Sequence, residues 1–134
     1  MQKYIQKKGK FLKINGVEFP YPARGLTLKI IHFVNSGRNA NGEIVSEVIG
    51  RPQYKLEGLK WNWLDADTWS AMLQELNKFF VDVEFFDMAS NSVRKLSMYV
   101  GDRSAQPYWI DGEDRITHYQ NCQCNLIDMG VQSE

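Results

Sequence analysis

Cysteine and histidine are scarce in this chain, two of each among 134 residues. Cys122 and Cys124 stand two apart in a strand-like segment, so they share one face, and a bridge across a single intervening residue would be badly strained. They read as reduced thiols. A zinc site built on this pair would need further ligands, usually a second spaced pair, and the chain has no second pair. His32 and His118 each fall mid-strand and outside any motif, so an ordinary hydrogen-bonded strand histidine is favoured over a catalytic one. No apolar run approaches the roughly 20 residues needed to span a bilayer. The opening Met-Gln-Lys-Tyr-Ile-Gln-Lys-Lys lacks the apolar block of a signal peptide, and the expectation is a soluble protein without a membrane partner. Net charge is absent too: 16 basic and 16 acidic residues balance, which argues against a surface built as a whole to attract nucleic acid or anionic lipid. There is no internal repeat, low-complexity stretch or Pro/Ser-rich linker, and a chain of this length buries roughly two-thirds of its unfolded surface in one core. One domain is expected.

What is present is aromatic and apolar. The chain is 13% aromatic and 43% hydrophobic, which excludes disorder. Charge is uneven at the start, where Lys3, Lys7, Lys8, Lys10, Lys13, Arg24 and Lys29 face only Glu18. A solvated, flexible basic tail over residues 1–10 is favoured over contact with an acidic partner, leaving residues 11–134 as a single β-rich domain.

The pattern of that domain is mostly antiparallel β with one helix. Asn15-Gly16 predicts a tight turn between strands starting at Phe11 and Val17, ended by Pro20 and Pro22. Residues 26–34 and 44–49 predict two strands around the polar loop Ser36 to Gly42, forming a long hairpin around residues 36–50. From Tyr54 and Leu56 the alternation slips by one residue at Glu57-Gly58 before Leu59, Trp61 and Trp63, which predicts a β-bulge. Asp65 or Asp67 caps a helix over about residues 65–80, with Trp69, Met72, Leu73, Leu76 and Phe80 as its apolar stripe. A hairpin of residues 81–87 and 93–101 follows, then a short strand beginning at Trp109, and a final strand over residues 116–129 with Cys122, Cys124 and Leu126 on one face. The expected fold is a two-sheet antiparallel β sandwich or barrel with one flanking helix.

No reaction is named by these residues. The loop Gly37 to Gly42 lacks the Gly-Lys-Ser/Thr ending of a phosphate loop and precedes a strand, not a helix. Asp102, Asp111, Glu113 and Asp114 lack the alternating ligand spacing of a calcium loop. The aromatics Trp61, Trp63, Trp69, Phe79, Phe80, Phe85 and Phe86 have only Lys60 and Lys78 nearby, so core packing is favoured over base stacking. No cofactor, metal or catalytic residue is expected.

Taken in order, Ser36-Gly-Arg-Asn-Ala-Asn-Gly-Glu43, Ile49-Gly-Arg51, Trp69-Ser-Ala-Met-Leu73 before Phe79-Phe80, Tyr99-Val-Gly-Asp-Arg103 and Cys124-Asn-Leu-Ile127 resemble a group of small prophage-encoded tail structural proteins of long-tailed phages of Gram-positive bacteria. The similarity runs over residues 12–130. It implies a virion component without enzymatic activity, made in the bacterial host cytoplasm and located in the virion tail. Tail-tube, tail-terminator and distal-tail proteins share a two-sheet β core, one helix and a protruding hairpin, and they assemble as rings. The implied partners are further copies of the chain and other phage tail proteins, with no membrane and no nucleic acid. A hairpin with a Gly/Asn-rich polar tip buries little by itself, and head-to-tail contact between identical subunits can close into a ring. Arg38, Asn39, Asn41, Arg51, Asp102 and Arg103 are the expected interface residues, although Asp102 and Arg103 are equally explained by a local ion pair. The alternative is a small nucleic-acid- or carbohydrate-binding module with Trp61, Trp63 or Trp109 as stacking platform and the basic N-terminal segment for phosphates. Burial of the tryptophans separates the two.

Overall fold

Asn15 and Gly16 take φ values of 53° and 81°, the left-handed pair that a two-residue hairpin turn requires. They join β1 (Lys8–Ile14) to β2 (Val17–Pro20), with Ile14 opposite Val17 and Lys13 opposite Glu18. The computed structural model describes residues 8–38 and 44–130, with side chains described outside residues 33–50. Residues 1–7 of the expected tail lie outside that range. Lys8, Gly9 and Lys10 belong to β1, which starts earlier than Phe11, and Lys8 pairs with Pro20. Gly9 matters here because the Tyr21 ring occupies the space that a side chain would fill.

β3 (Thr27–Arg38) and β4 (Ile44–Asp65) form the long hairpin. The expected bulge is present: Gly58 has φ 73°, and the pairing of β4 with the last strand shifts between Leu56 opposite Leu126 and Leu59 opposite Cys124. A second irregularity lies nearer the loop. Pairing jumps from Ile31 opposite Gln53 to Phe33 opposite Ile49, so His32 faces Gly50, Arg51 and Pro52, and Pro52 has no N–H to give to a ladder.

The helix α1 (Ala66–Leu76) starts where Asp65 accepts from the Thr68 backbone N–H at 3.2 Å. It ends sooner than the pattern predicts. Phe80 opens β5 (Phe80–Asp87) instead of completing the helical stripe, and its exposure is 58%. Strand period explains the difference: Val81, Val83, Phe85 and Asp87 alternate inward, and two-residue periodicity over eight residues overrides one fortuitous helical match. β5 pairs with β6 (Ser92–Val100), as expected. β7 (Ser104–Ile110) ends, rather than begins, at Trp109 and Ile110, and β8 (Ile116–Asp128) follows.

Every pairing is antiparallel, in the order β2-β1-β5-β6-β8-β4-β3, with β7 also on β8. One edge of β8 is therefore shared: Leu126 to Asp128 meet β6, and Ile116 to Gln123 meet β7. The sheet curls on itself. Tyr54 of β4 packs on Phe85 of β5 at 5.6 Å between ring centres although β6 and β8 lie between those strands in the sheet order. Trp61 Nε1 donates to the Pro20 carbonyl at 2.9 Å, and the Ala23 N–H reaches the Lys60 carbonyl at 2.6 Å. The outcome is a sandwich-like, mainly β fold with one flanking helix. Leu12, Ile14, Phe19, Leu59, Trp61 and Leu126 are core residues between the layers. α1 packs against β4 and β8, with Trp69 on Trp61 at 6.4 Å.

Candidate assembly interface

Beyond the irregularity at Gly50–Pro52, β3 and β4 continue as a two-stranded ribbon from Phe33 opposite Ile49 to Arg38 opposite Ile44. Six residue pairs correspond to a length of about 20 Å. Pairing of β4 with β8 reaches only as far as Lys55, so neither outer edge of the ribbon meets another described strand. Two-stranded ribbons are marginal in water unless something packs on them.

At the foot of this ribbon the chain irregularity turns Arg51 toward the body. Its Nη1 and Nη2 donate to Asp128 Oδ2 at 2.6 Å and Oδ1 at 2.8 Å, the two-pronged geometry that makes guanidinium–carboxylate pairs strong. Asp128 also accepts from the backbone N–H groups of Tyr54 at 3.0 Å and Gly130 at 2.9 Å. Its side chain is fully buried and that of Arg51 is 11% exposed. Burial alone would push the Asp128 carboxyl up, but Arg51 and the two amides outweigh it and hold it below the ordinary carboxylate range.

A second buried carboxylate lies across the sandwich. Asp87 accepts from the Ala89 N–H at 2.9 Å and from Tyr54 Oη and Ser90 Oγ, both at 3.2 Å, with Arg94 at 3.4 Å. Here too burial pushes the carboxyl up and the donors overcome it, leaving the acid stronger than usual. Tyr54 thus ties both aspartates into one network, and the Arg94 guanidinium lies 5.0 Å from its ring centre. Sequence reasoning missed Asp87, Asp128 and Tyr54 as a set. The signal was in the alternation: Val81, Val83, Phe85, Asp87 and Cys122, Cys124, Leu126, Asp128 each carry an acid in the inward phase, and a buried acid demands partners.

The expected interface residues are not brought together. Arg51 is engaged with Asp128 at the ribbon's foot. The backbone of Arg38 is the last described part of β3, and Asn39 and Asn41 lie outside the described residues. Asp102 and Arg103 are exposed in the link where the chain leaves β6 for β7, and no ion pair joins them.

Elsewhere the surface carries exposed aromatics. Phe79 stacks on Tyr99 at 5.8 Å and meets Phe80 edge-on at 4.8 Å. Tyr108, Trp109 and Ile110 are exposed on β7. The three tryptophans of the binding-module alternative divide: Trp61 is buried beneath α1 at 1% exposure, Trp63 is half-buried with His118 stacked on it at 4.4 Å, and Trp109 is 60% exposed. Trp61 is therefore no stacking platform. His32 is exposed on β3 while His118 borders a cavity of about 360 Å³ with Asp65, Asp67 and Asp111. Among the described residues no group of three or more His, Cys, Asp or Glu is arranged to hold a metal ion. Among those residues, also, no helix is long and apolar enough to cross a membrane.

No family model, curated protein or solved structure matches this chain.

Proposed function

We propose that this protein is a structural component of a phage or prophage virion tail, of the tube, terminator or distal-tail type, that works by self-association and contact with other tail proteins. The observation that carries the reading is the β3–β4 ribbon, which extends about 20 Å past the last pairing of β4 with β8 and leaves both of its edges unpaired among the described residues. Main-chain donors and acceptors along such edges are templates for another chain. The Arg51–Asp128 pair supports the reading, because it anchors the foot of the ribbon to the body and so lowers the entropy lost when a neighbour binds.

The function is mechanical and needs no reacting group. Copies in head-to-tail contact form a ring when the rotation between them closes. Light scattering on a sizing column and negative-stain microscopy of concentrated protein test this. Rings or tubes of the full chain, lost on deletion of residues 37–42, are the expected result; a strict monomer whose behaviour that deletion leaves unchanged counts against the reading.

A further inference from the structure

Two surfaces far apart on the fold complement one another in charge and apolar character. The first is a groove of about 360 Å³ at the link from β2 to β3, walled by Phe11 of β1, by Tyr21, Pro22 and Leu26 of the link and by Leu28 of β3, with Arg24 in its lining and no acidic residue there. Its volume falls in the range that accepts groups larger than a single indole. The second surface is β7 with the turn that follows it. β7 pairs with β8 alone among the described strands, and Tyr108, Trp109 and Ile110 are each more than half exposed.

The turn beyond Ile110 is acidic. Asp111 accepts from the Glu113 and Arg115 amides at 2.8 and 3.1 Å, which holds the turn in shape. Arg115 contacts Glu113 at 3.0 Å and Asp111 at 3.5 Å, and among the described residues lining the neighbouring cavity it is the one Lys or Arg beside Asp65, Asp67 and Asp111. One face is thus apolar with a single cation, Arg24, in its lining, the other apolar with an acidic border.

A copy cannot satisfy both surfaces by itself. The groove adjoins β3, which pairs with β4, and its Ala23 N–H is tied to the Lys60 carbonyl of β4, whereas β7 lies beyond β8, with β4 and β8 between them. We propose that β7 and its acidic turn dock in the groove at the β2–β3 link of a second copy of this chain, with Trp109 as the apolar anchor and Arg24 facing the acidic turn. The occupant is a second copy because the complementary charge and the unpaired apolar edge are both present on this same chain. Different patches meet, so the contact is head-to-tail and propagates from copy to copy. This inference rests on the self-assembly reading and specifies which surfaces perform it.

Sedimentation velocity of the full chain at low salt, over a range of concentrations, tests it by charge exchange. Arg24→Glu reverses the charge of the groove, and Glu113→Lys reverses one charge of the turn. Both side chains are exposed, and matching melting temperatures and near-ultraviolet dichroism establish that the variants fold. Reversal on one surface is expected to weaken self-association about tenfold, because like charges then oppose each other. Reversal on both is expected to restore it to within about threefold of the wild type, as coupled sites do. Trp109→Ala is expected to weaken association at every salt concentration.

Strictly additive losses without rescue overturn the inference. Assembly untouched by any of these substitutions also overturns it while leaving the self-assembly reading in place, since rings then form through other surfaces. A chain that stays monomeric at every concentration, with no rings in the microscope, sinks both. Concentration-independent shielding of Tyr21 that disappears when residues 1–7 are removed identifies the chain's own N-terminal segment as the occupant, and likewise overturns the proposal.

Discussion

Asp128 ties together three parts of the structure. Four donors converge on its carboxylate, from the ribbon's foot, from β4 and from the turn at Gly130. Asp128→Asn keeps the shape and loses the charge, so Arg51 is left nearly buried without its counterion. A loss of about 3 kcal/mol, or about 10 °C in melting temperature, is expected, measured by chemical and thermal denaturation. The pH dependence has a definite sign. Asp128 and Asp87 are both stronger acids in the folded state than in the unfolded chain, so their contribution is complete above the unfolded carboxyl value near pH 4 and disappears as pH falls through the folded values. Stability is expected to be flat between pH 7 and about 5 and to fall below about 4, more steeply for the wild type than for Asp128→Asn. The cysteines behave oppositely. Burial pushes the thiols of Cys122 and Cys124 up to about 12, and a buried thiol that ionises so late is a poor nucleophile. A thiol reagent such as Ellman's at pH 8 is expected to leave both unmodified in the native protein and to titrate both once denaturant is added; rapid native labelling contradicts the buried β8 face.

At the scale of elements, β4 does work that a regular strand could not. Its 22 residues serve the ribbon, the core and the helix cap in turn, and the two irregularities separate those tasks. Gly58 adopts φ 73°, its N–H donates to Asn125 Oδ1 at 2.9 Å, and a side chain there would begin 3.4 Å from the Gly25 carbonyl. Gly58→Ala is therefore expected to cost about 1–2 kcal/mol, seen as a lower denaturant midpoint with an unchanged slope. No measurable loss would mean that the bulge can relocate. This bulge was legible in the sequence, because a slip in alternation beside a glycine has few other meanings. So was the Asn15-Gly16 turn. The irregularity at Gly50–Pro52 was not read, although Pro52 was visible, because the residue count opposite His32 depends on where the partner strand resumes. The helix end was missed for a similar reason: Phe80 fits both a period of 3.6 and a period of 2, and only pairing with Tyr99 decides between them.

For the whole molecule, three of the seven ladders among the described strands join strands that are not consecutive, and the long β3–β4 hairpin also pairs residues as distant as Thr27 and Glu57. β1 meets β5 through Lys13 and Glu84, and β4 meets β8 through Leu56 and Leu126. Chains dominated by such pairings fold slowly, in milliseconds to seconds. Stopped-flow refolding followed by tryptophan fluorescence, with Trp61 and Trp69 packed together in the core, is expected to fall in that range. Microsecond refolding would be inconsistent with this topology. The same curling puts Tyr54 of β4 between Asp128 and Asp87, so the network at the ribbon's foot exists only once the two layers have met.

The sequence by itself determined the class of the protein: antiparallel strands, one capped helix, the first turn, the Gly58 bulge and the long hairpin, because each depends on local backbone preference or on a side-chain period confined to a few residues. Tertiary structure alone decided which strand lies beside which, that Arg51 turns to Asp128, that Trp61 is buried while Trp109 is not, and that the apolar groove with Arg24 and the acidic turn lie on different strands. Those outcomes depend on how the sheet curls, and the curl is set by contacts between residues that the chain keeps far apart.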